Sequence, residues 1–273
     1  MRILNYLLVC LLITSSNLFA LKPEKEYKVK PDEFGLNYEK ITIPTKDGMQ
    51  LAAWMYKPSG EPRKVIIISH SGDGNQSNMI ELASHFVTLG YTVVTYDYRG
   101  FGESSEFKIN LNFYIYAQFE KDLNAVIDYV HKYHAKLKQM DLYGIGMGAG
   151  LSLAVGANRV EVNKIIADSP YTTLEGIQKK IKDVKGTDVM IPLAFDKYIL
   201  EPEYALPERG KNLFGVLVIY GEKEEVYAQL DVRRVRKAAK CPTEEYKALG
   251  ATFETTFSSN KAKYFDVVKN FLK

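Results

Sequence analysis

Gly144-Ile145-Gly146-Met147-Gly148 is the stretch of this chain best placed to present a reacting group. The pattern G-x-S-x-G carries a serine nucleophile on a sharp turn between a strand and a helix, where its hydroxyl stands clear of the sheet. Both flanking glycines are present, behind the strand-like Met140-Asp141-Leu142-Tyr143 and ahead of a helical run, Ala149 to Ala157. The central position holds Gly146, which has no side chain to attack with. The frame of an acyl-transfer site is kept and its nucleophile is missing. Ser152 lies too far round the following helix to replace it, and Ser71 and Ser77 have the spacing of turn and helix-cap residues. His131 and His134, at i and i+3, share a helix face and could share a metal, but no third ligand of the usual kind is near, so they read as surface histidines. His85 reads as a packing or surface residue. Arg233, Arg234, Arg236, Lys237 and Lys240 form a basic helix that could meet an acidic partner or a lipid headgroup; a solvated face is the simpler reading.

The elements that must position these residues alternate along the chain. Tyr38 to Pro44, a turn at Lys46-Asp47-Gly48 and Met49 to Lys57 predict a hairpin. Val65-Ile66-Ile67-Ile68 is a continuous apolar run of the kind buried on both faces of a parallel sheet. A helix over Asn78–Leu89 and a strand over Tyr91–Tyr96 follow. Phe119, Leu123, Val126, Ile127 and Val130 fall on one helix face, ahead of the strand into the glycine turn. Val162–Ala167, Val216–Tyr220 and Thr243–Ala248 supply further strands, and Tyr264, Val267, Val268, Phe271 and Leu272 have helical spacing. Such alternation predicts an α/β fold, a mostly parallel central sheet covered by helices on both faces with an N-terminal hairpin at one edge. Between residues 171 and 213 the alternation stops, which marks a candidate lid.

Five landmarks then occur in a familiar order: Thr45-Lys46-Asp47-Gly48-Met49-Gln50-Leu51, Ser69-His70-Ser71-Gly72-Asp73-Gly74-Asn75, Tyr96-Asp97-Tyr98-Arg99-Gly100-Phe101-Gly102-Glu103-Ser104, the glycine turn, and Asp168-Ser169-Pro170-Tyr171. Together they resemble the α/β-hydrolase family, in particular its serine-aminopeptidase-like and dienelactone-hydrolase-like members, from about Tyr38 to the C-terminus. The resemblance implies an oxyanion hole built from backbone N–H groups, here those near Ser71-Gly72 and that of Met147. It makes His70 structural and gives Asp97-Tyr98-Arg99-Gly100 the task of fixing a turn. It also implies a triad in the order Ser, acid, His. Glu224, in Gly221-Glu222-Lys223-Glu224, stands at the acid's place, one methylene longer than an aspartate. Phe253, in Gly250-Ala251-Thr252-Phe253, aligns with the base, and no histidine follows His134. Nucleophile and base act as a unit, so losing both costs about as much as losing either, on the order of a millionfold in rate.

At 273 residues and 46% hydrophobic, the chain can bury a substantial core as one domain over residues 38–273. A net charge of +3 is too slight to argue for nucleic acid or an anionic membrane surface. Residues 1–20 read as a signal peptide, with Arg2, the apolar Tyr6–Ile13 and Ala20 before the cut. Residues 21–37, charged and Pro-containing, read as a linker or N-terminal arm. Cleavage would leave Cys241 as the only cysteine and exclude an internal disulfide. The sequence therefore predicts an exported, periplasmic or secreted protein, anchored in a membrane if the leader is kept. It is expected to be a catalytically inactive pseudo-hydrolase with no cofactor or metal, binding a small-molecule or protein ligand. An active hydrolase of esters or amides with a rearranged site, Glu224 activating water, is the alternative.

Overall fold

The computed structural model describes residues 19–227 and 229–273. The signal-peptide reading falls outside the described residues except for Phe19 and Ala20. Eight strands form the central sheet: β1 (Tyr38–Pro44), β2 (Gln50–Tyr56), β3 (Lys64–Ser69), β4 (Thr92–Tyr96), β5 (Gln139–Ile145), β6 (Val162–Asp168), β7 (Gly215–Gly221) and β8 (Thr243–Ala248). Their order is β8-β7-β6-β5-β3-β4-β2-β1. β2 runs antiparallel to both β1 and β4, and every other pairing is parallel, so the hairpin sits at one edge as predicted. In β3, residues Val65 to Ser69 are all buried, which is why its isoleucines run without polar alternation.

Helices cover both faces. α1 (Ile80–Thr88) and α8 (Lys261–Leu272) close one side, where Phe86, Tyr264 and Val268 meet Ile66 and Ile68. α2 (Phe119–Tyr133) and α3 (Met147–Ala157) close the other, with Leu123, Val126 and Leu151 against Val65 and Ile67. α3 is buried on every side, and its glycines let it lie close to the sheet: a Cβ on Gly156 would come within 2.7 Å of the Ile165 Cδ1. Residues 171–213 fold into α4 (Leu174–Lys185), α5 (Lys197–Leu200) and α6 (Pro202–Arg209). α5 and α6 pack on α3. α7 (Gln229–Ala238) follows β7.

Residues 19–30 depart from the linker expectation. Leu21 is 1% exposed, and Lys22-Pro23 pairs in parallel with Asp73-Gly74. The Leu21 N–H donates to the Phe113 carbonyl (2.9 Å), Lys22 N–H to Gly72 (2.8 Å) and Glu24 N–H to Gly74 (3.0 Å). The Asn75 amide donates to the Glu24 and Glu26 carbonyls. Tyr27 packs on Trp54 and donates its hydroxyl to Asp97 at 2.5 Å. The lysines and glutamates that suggested a linker line the outer side of this strap, while Phe19, Leu21 and Tyr27 hold its inner side.

Asp97, Asp141 and Asp168 are buried, and burial pushes each carboxyl up to about 6. An unfolded aspartate titrates near 3.9, so between those values the folded chain holds more protons than the unfolded one. Their contribution is full at low pH and is lost as pH rises through about 6. Asp47, held well below the ordinary range first by the Arg99 hydrogen bonds, stays ionised throughout this window. His70, buried neutral with its imidazole pushed down to about 3, opposes this below the ordinary histidine value. One histidine against three aspartates leaves the melting temperature expected to be higher at pH 5 than at pH 7.5, and a thermal melt showing the reverse order would contradict this.

Candidate functional site

The parallel register brings the expected site residues to one end of the sheet. Ser69 lies opposite Gly144, Ile145 opposite Asp168, and Ala248 opposite Gly221. The loops after β3, β5, β6, β7 and β8 therefore leave the sheet side by side.

β5 passes into α3 through Gly146, at φ 57° and ψ −119°. A side-chain-bearing residue is strained in that conformation, by roughly 1–3 kcal/mol, and glycine is not. The Gly146 N–H donates to the Asp168 carbonyl at 2.8 Å, which fixes the turn from the neighbouring strand. The flanking glycines have a purely steric reason to be there. A Cβ on Gly144 would lie 2.2 Å from the Gly148 carbonyl oxygen, and one on Gly148 would lie 2.3 Å from that of Ser69. The elbow's shape thus persists without a nucleophile.

Phe253 fills the space in front of it. A Cβ on Gly146 would meet the Phe253 ring at 2.8 and 3.0 Å, and the Ser71 Cβ at 3.5 Å. Phe253 is 9% exposed and lies against Tyr227, ring centroids 5.1 Å apart. Glu224 is also brought here, bound to main chain. Its Oε2 accepts the Phe253 N–H at 2.8 Å, and its Oε1 accepts those of Val226 (2.9 Å) and Tyr227 (3.4 Å). The acid ties the loop after β7 to the loop after β8. Both its oxygens are engaged by main-chain N–H groups.

The oxyanion-hole candidates divide. Among the described residues, the N–H groups of Ser71 and Met147 meet no acceptor, whereas the Gly72 N–H donates to His70 Nδ1 at 3.2 Å. Gly72 is also covered, since a Cβ there would lie 2.7 Å from Leu21 Cδ2 and 3.4 Å from Met147 Cε. The expectation that Gly72 is an open backbone donor therefore does not match the geometry. His70 is fully buried between Tyr98 and Phe101, and burial pushes its imidazole down to about 3. It is neutral at ordinary pH. Arg99 bonds Asp122 and Asp47, tying α2 and the hairpin turn to the loop after β4. His131 and His134 have no third partner: no cluster of metal-ligating side chains occurs among the described residues. Ser77 is not itself the cap: Asn75 is, accepting both the N–H and the hydroxyl of Ser77 on its side-chain oxygen.

The strap is the part that sequence reasoning missed. Phe19 packs on Tyr227 (5.8 Å) and Phe253 (6.3 Å), and Leu21 covers Gly72, so the chain's own N-terminal residues fill the entrance to the elbow. A cavity of about 180 Å³ remains, lined by Phe19, Ser71, Tyr114, Tyr227 and Phe253 among others. That is below the usual range for a small-molecule site. Larger grooves, of about 640 and 980 Å³, lie beside Asp47 and Asp128 and beside Arg63 and Lys136, without elbow residues. The alternation of buried Phe19 and Leu21 was the available sequence signal, masked by its position at the expected leader boundary.

Tyr27 anchors the strap. Its hydroxyl donates to Asp97 and accepts from the Gln76 side chain (3.1 Å) and the Glu103 N–H (3.2 Å). Tyr27→Phe removes all three bonds and is expected to cost about 1–3 kcal/mol. Faster proteolytic nicking within residues 19–30 and a lowered melting temperature would mark that loss; unchanged nicking would show the strap to be held by its apolar contacts alone.

Comparison with known proteins agrees with this architecture. A family model for serine aminopeptidase, S33, matches residues 60–191. The chain is 24% identical over 298 residues to the uncharacterized protein YfhR of Salmonella typhi, covering 99% of this chain and 93% of that one. It is 25% identical to the uncharacterized membrane protein YNL320W of Saccharomyces cerevisiae, covering 89% of this chain and 82% of the other. The Pyrococcus furiosus esterase Pf2001 superimposes with a TM-score of 0.75 at 18% identity, over 93% of this chain and 97% of the esterase. With the sheet order, the glycine elbow and these relatives in place, the chain is a member of the α/β-hydrolase superfamily that is similar to the serine aminopeptidases over residues 60–191.

Proposed function

We propose that this protein is an exported, catalytically silent α/β-hydrolase-fold protein that acts by binding a partner rather than by turning over a substrate. One observation carries the reading: the Phe253 ring stands where a side chain at position 146 would have to project. Hydrolysis needs a nucleophile, a base within hydrogen-bond reach and an acid to orient the base. Here the first is a glycine, the second is a phenyl ring, and the third is occupied by backbone N–H groups. The strap adds to this: Leu21, and Phe19 where the leader is retained, fill the space a substrate would enter. Binding is accordingly assigned to the outer surface rather than to the elbow pocket.

The purified protein is expected to take up no fluorophosphonate probe and to leave short-chain esters intact. Stoichiometric labelling that disappears in Ser71→Ala would sink the reading, since Ser71 is the serine whose Cβ approaches the elbow. Ester turnover that survives Ser71→Ala and dies with Glu224→Gln would instead establish a rearranged, water-activating site.

A further inference from the structure

We propose that the rim around the strap's point of entry rests on an anionic lipid bilayer. The first observation is where the described chain begins. Phe19 lies beneath the end of α4, with Lys185 Nζ 5.9 Å from its ring centroid, and Leu21 bonds the Phe113 carbonyl. Eighteen residues precede Phe19, including the apolar run Tyr6–Ile13, so the most apolar part of the N-terminal sequence joins the domain at this rim. With the leader retained, a domain tethered there presents this end of its sheet to whatever takes up the leader.

The second observation is what the rim is made of. Met190 and Asn112 share a main-chain hydrogen bond, which brings the 110–113 loop and the 189–193 loop together. Leu111, Met190 and Leu193 on those loops are 58%, 45% and 103% exposed, and Val184, beside Lys185, is 37% exposed. Single exposed apolar residues are unremarkable, but several gathered on two adjoining loops mark an interaction face. Lys108 and Lys185 flank them, both exposed and without a carboxylate partner among the described residues. Apolar loop tips edged by free lysines suit the interface of a bilayer whose headgroups are anionic. A protein partner would not account for the apolar leader joining the domain at the same place.

This surface does not involve the elbow, so it stands or falls separately from catalytic silence. The test uses the full-length chain in vesicles of phosphatidylcholine and phosphatidylglycerol, with and without brominated acyl chains that quench tryptophan on contact. Two variants, Leu193→Trp and Phe214→Trp, each add one tryptophan to the buried Trp54. Phe214 is exposed ahead of β7, at the opposite end of the sheet, and serves as the control. Brominated lipid is expected to quench the Leu193→Trp emission by at least half and to leave the Phe214→Trp protein at the level of Trp54 alone. Equal quenching of the two variants, or none in either, would overturn the proposal, as would failure of the chain to float with the vesicles. A leader that merely tethers the domain gives flotation without quenching of Leu193→Trp, which also overturns it. Replacing Lys108 and Lys185 together with glutamate is expected to reduce the quenching on the anionic vesicles; no change would remove the charge from the argument and overturn the anionic assignment.

Discussion

A chain carrying Gly146→Ser with Phe253→His is expected to hydrolyse p-nitrophenyl acetate no faster than buffer. The same chain with Phe19→Ala and Leu21→Ala added is expected to be about 10²–10³-fold faster, the lower part of what a positioned acid–base group supplies. The double substitution restores the missing atoms: serine in place of glycine at the elbow, and an imidazole where the phenyl ring now meets that position. It does not open the site, because Phe19 still lies on residue 253 and Leu21 still covers Gly72. Trimming both clears the entrance. The gain stays well short of the roughly millionfold that a complete triad is worth, because Glu224 already serves three backbone N–H groups. An active double variant would show that the strap does not obstruct the site. An inactive but folded quadruple variant would show that the elbow has lost its catalytic shape as well as its serine.

The largest effect on stability is expected from Gly148→Ala or Gly144→Ala, each costing about 4 kcal/mol or more in urea unfolding. The new methyl would meet backbone, the Ser69 and His70 oxygens at 2.3 and 2.5 Å for Gly148 and the Gly148 oxygen at 2.2 Å for Gly144. Backbone cannot swing aside, so α3 would have to lift off β3 and β5. Gly146→Ala is expected to be milder, roughly 1–3 kcal/mol, from its positive φ and from a ring edge that can tilt. If Gly146→Ala were the costliest of the three, the flanking glycines would not be held by the steric contacts described.

These two results separate what the elbow sequence preserves from what it has lost. Its outer glycines are constrained by helix–strand packing, which operates whether or not a reaction is catalysed. At its centre a side chain costs backbone strain that only a reaction would justify, and there the side chain is absent.

The sheet was legible because each of its strands announces itself locally. The isoleucines of β3 and the alternation of β1 follow from how many faces each strand buries, a property of a few consecutive residues. The elbow was legible because a glycine-bounded turn between strand and helix has a short fixed spacing. Glu224 and Phe253 could be aligned only through the family's loop order. Their contact with Gly146 and with each other's backbone depends on where the loops after β5, β7 and β8 leave the sheet.

The N-terminal strap was barely legible, through the alternation of Phe19 and Leu21 alone. Its lysines, glutamates and proline have the composition of an exposed linker, and composition does not say which side of a strand meets a groove. The pairing of Lys22-Pro23 with Asp73-Gly74, the bond from Tyr27 to Asp97 and the burial of Leu21 over Gly72 join residues about 50 to 70 positions apart. By itself the sequence determined the α/β architecture, the empty nucleophile position and the absence of a later histidine, since each is written in neighbouring residues or in simple order along the chain. Only the tertiary structure decided that Phe253 fills the space the nucleophile would need, that Glu224 caps loops, and that the entrance is closed by the chain's own N-terminal residues. Those facts arise where separate loops converge at one end of a sheet, and that convergence is set by strand register rather than by local sequence.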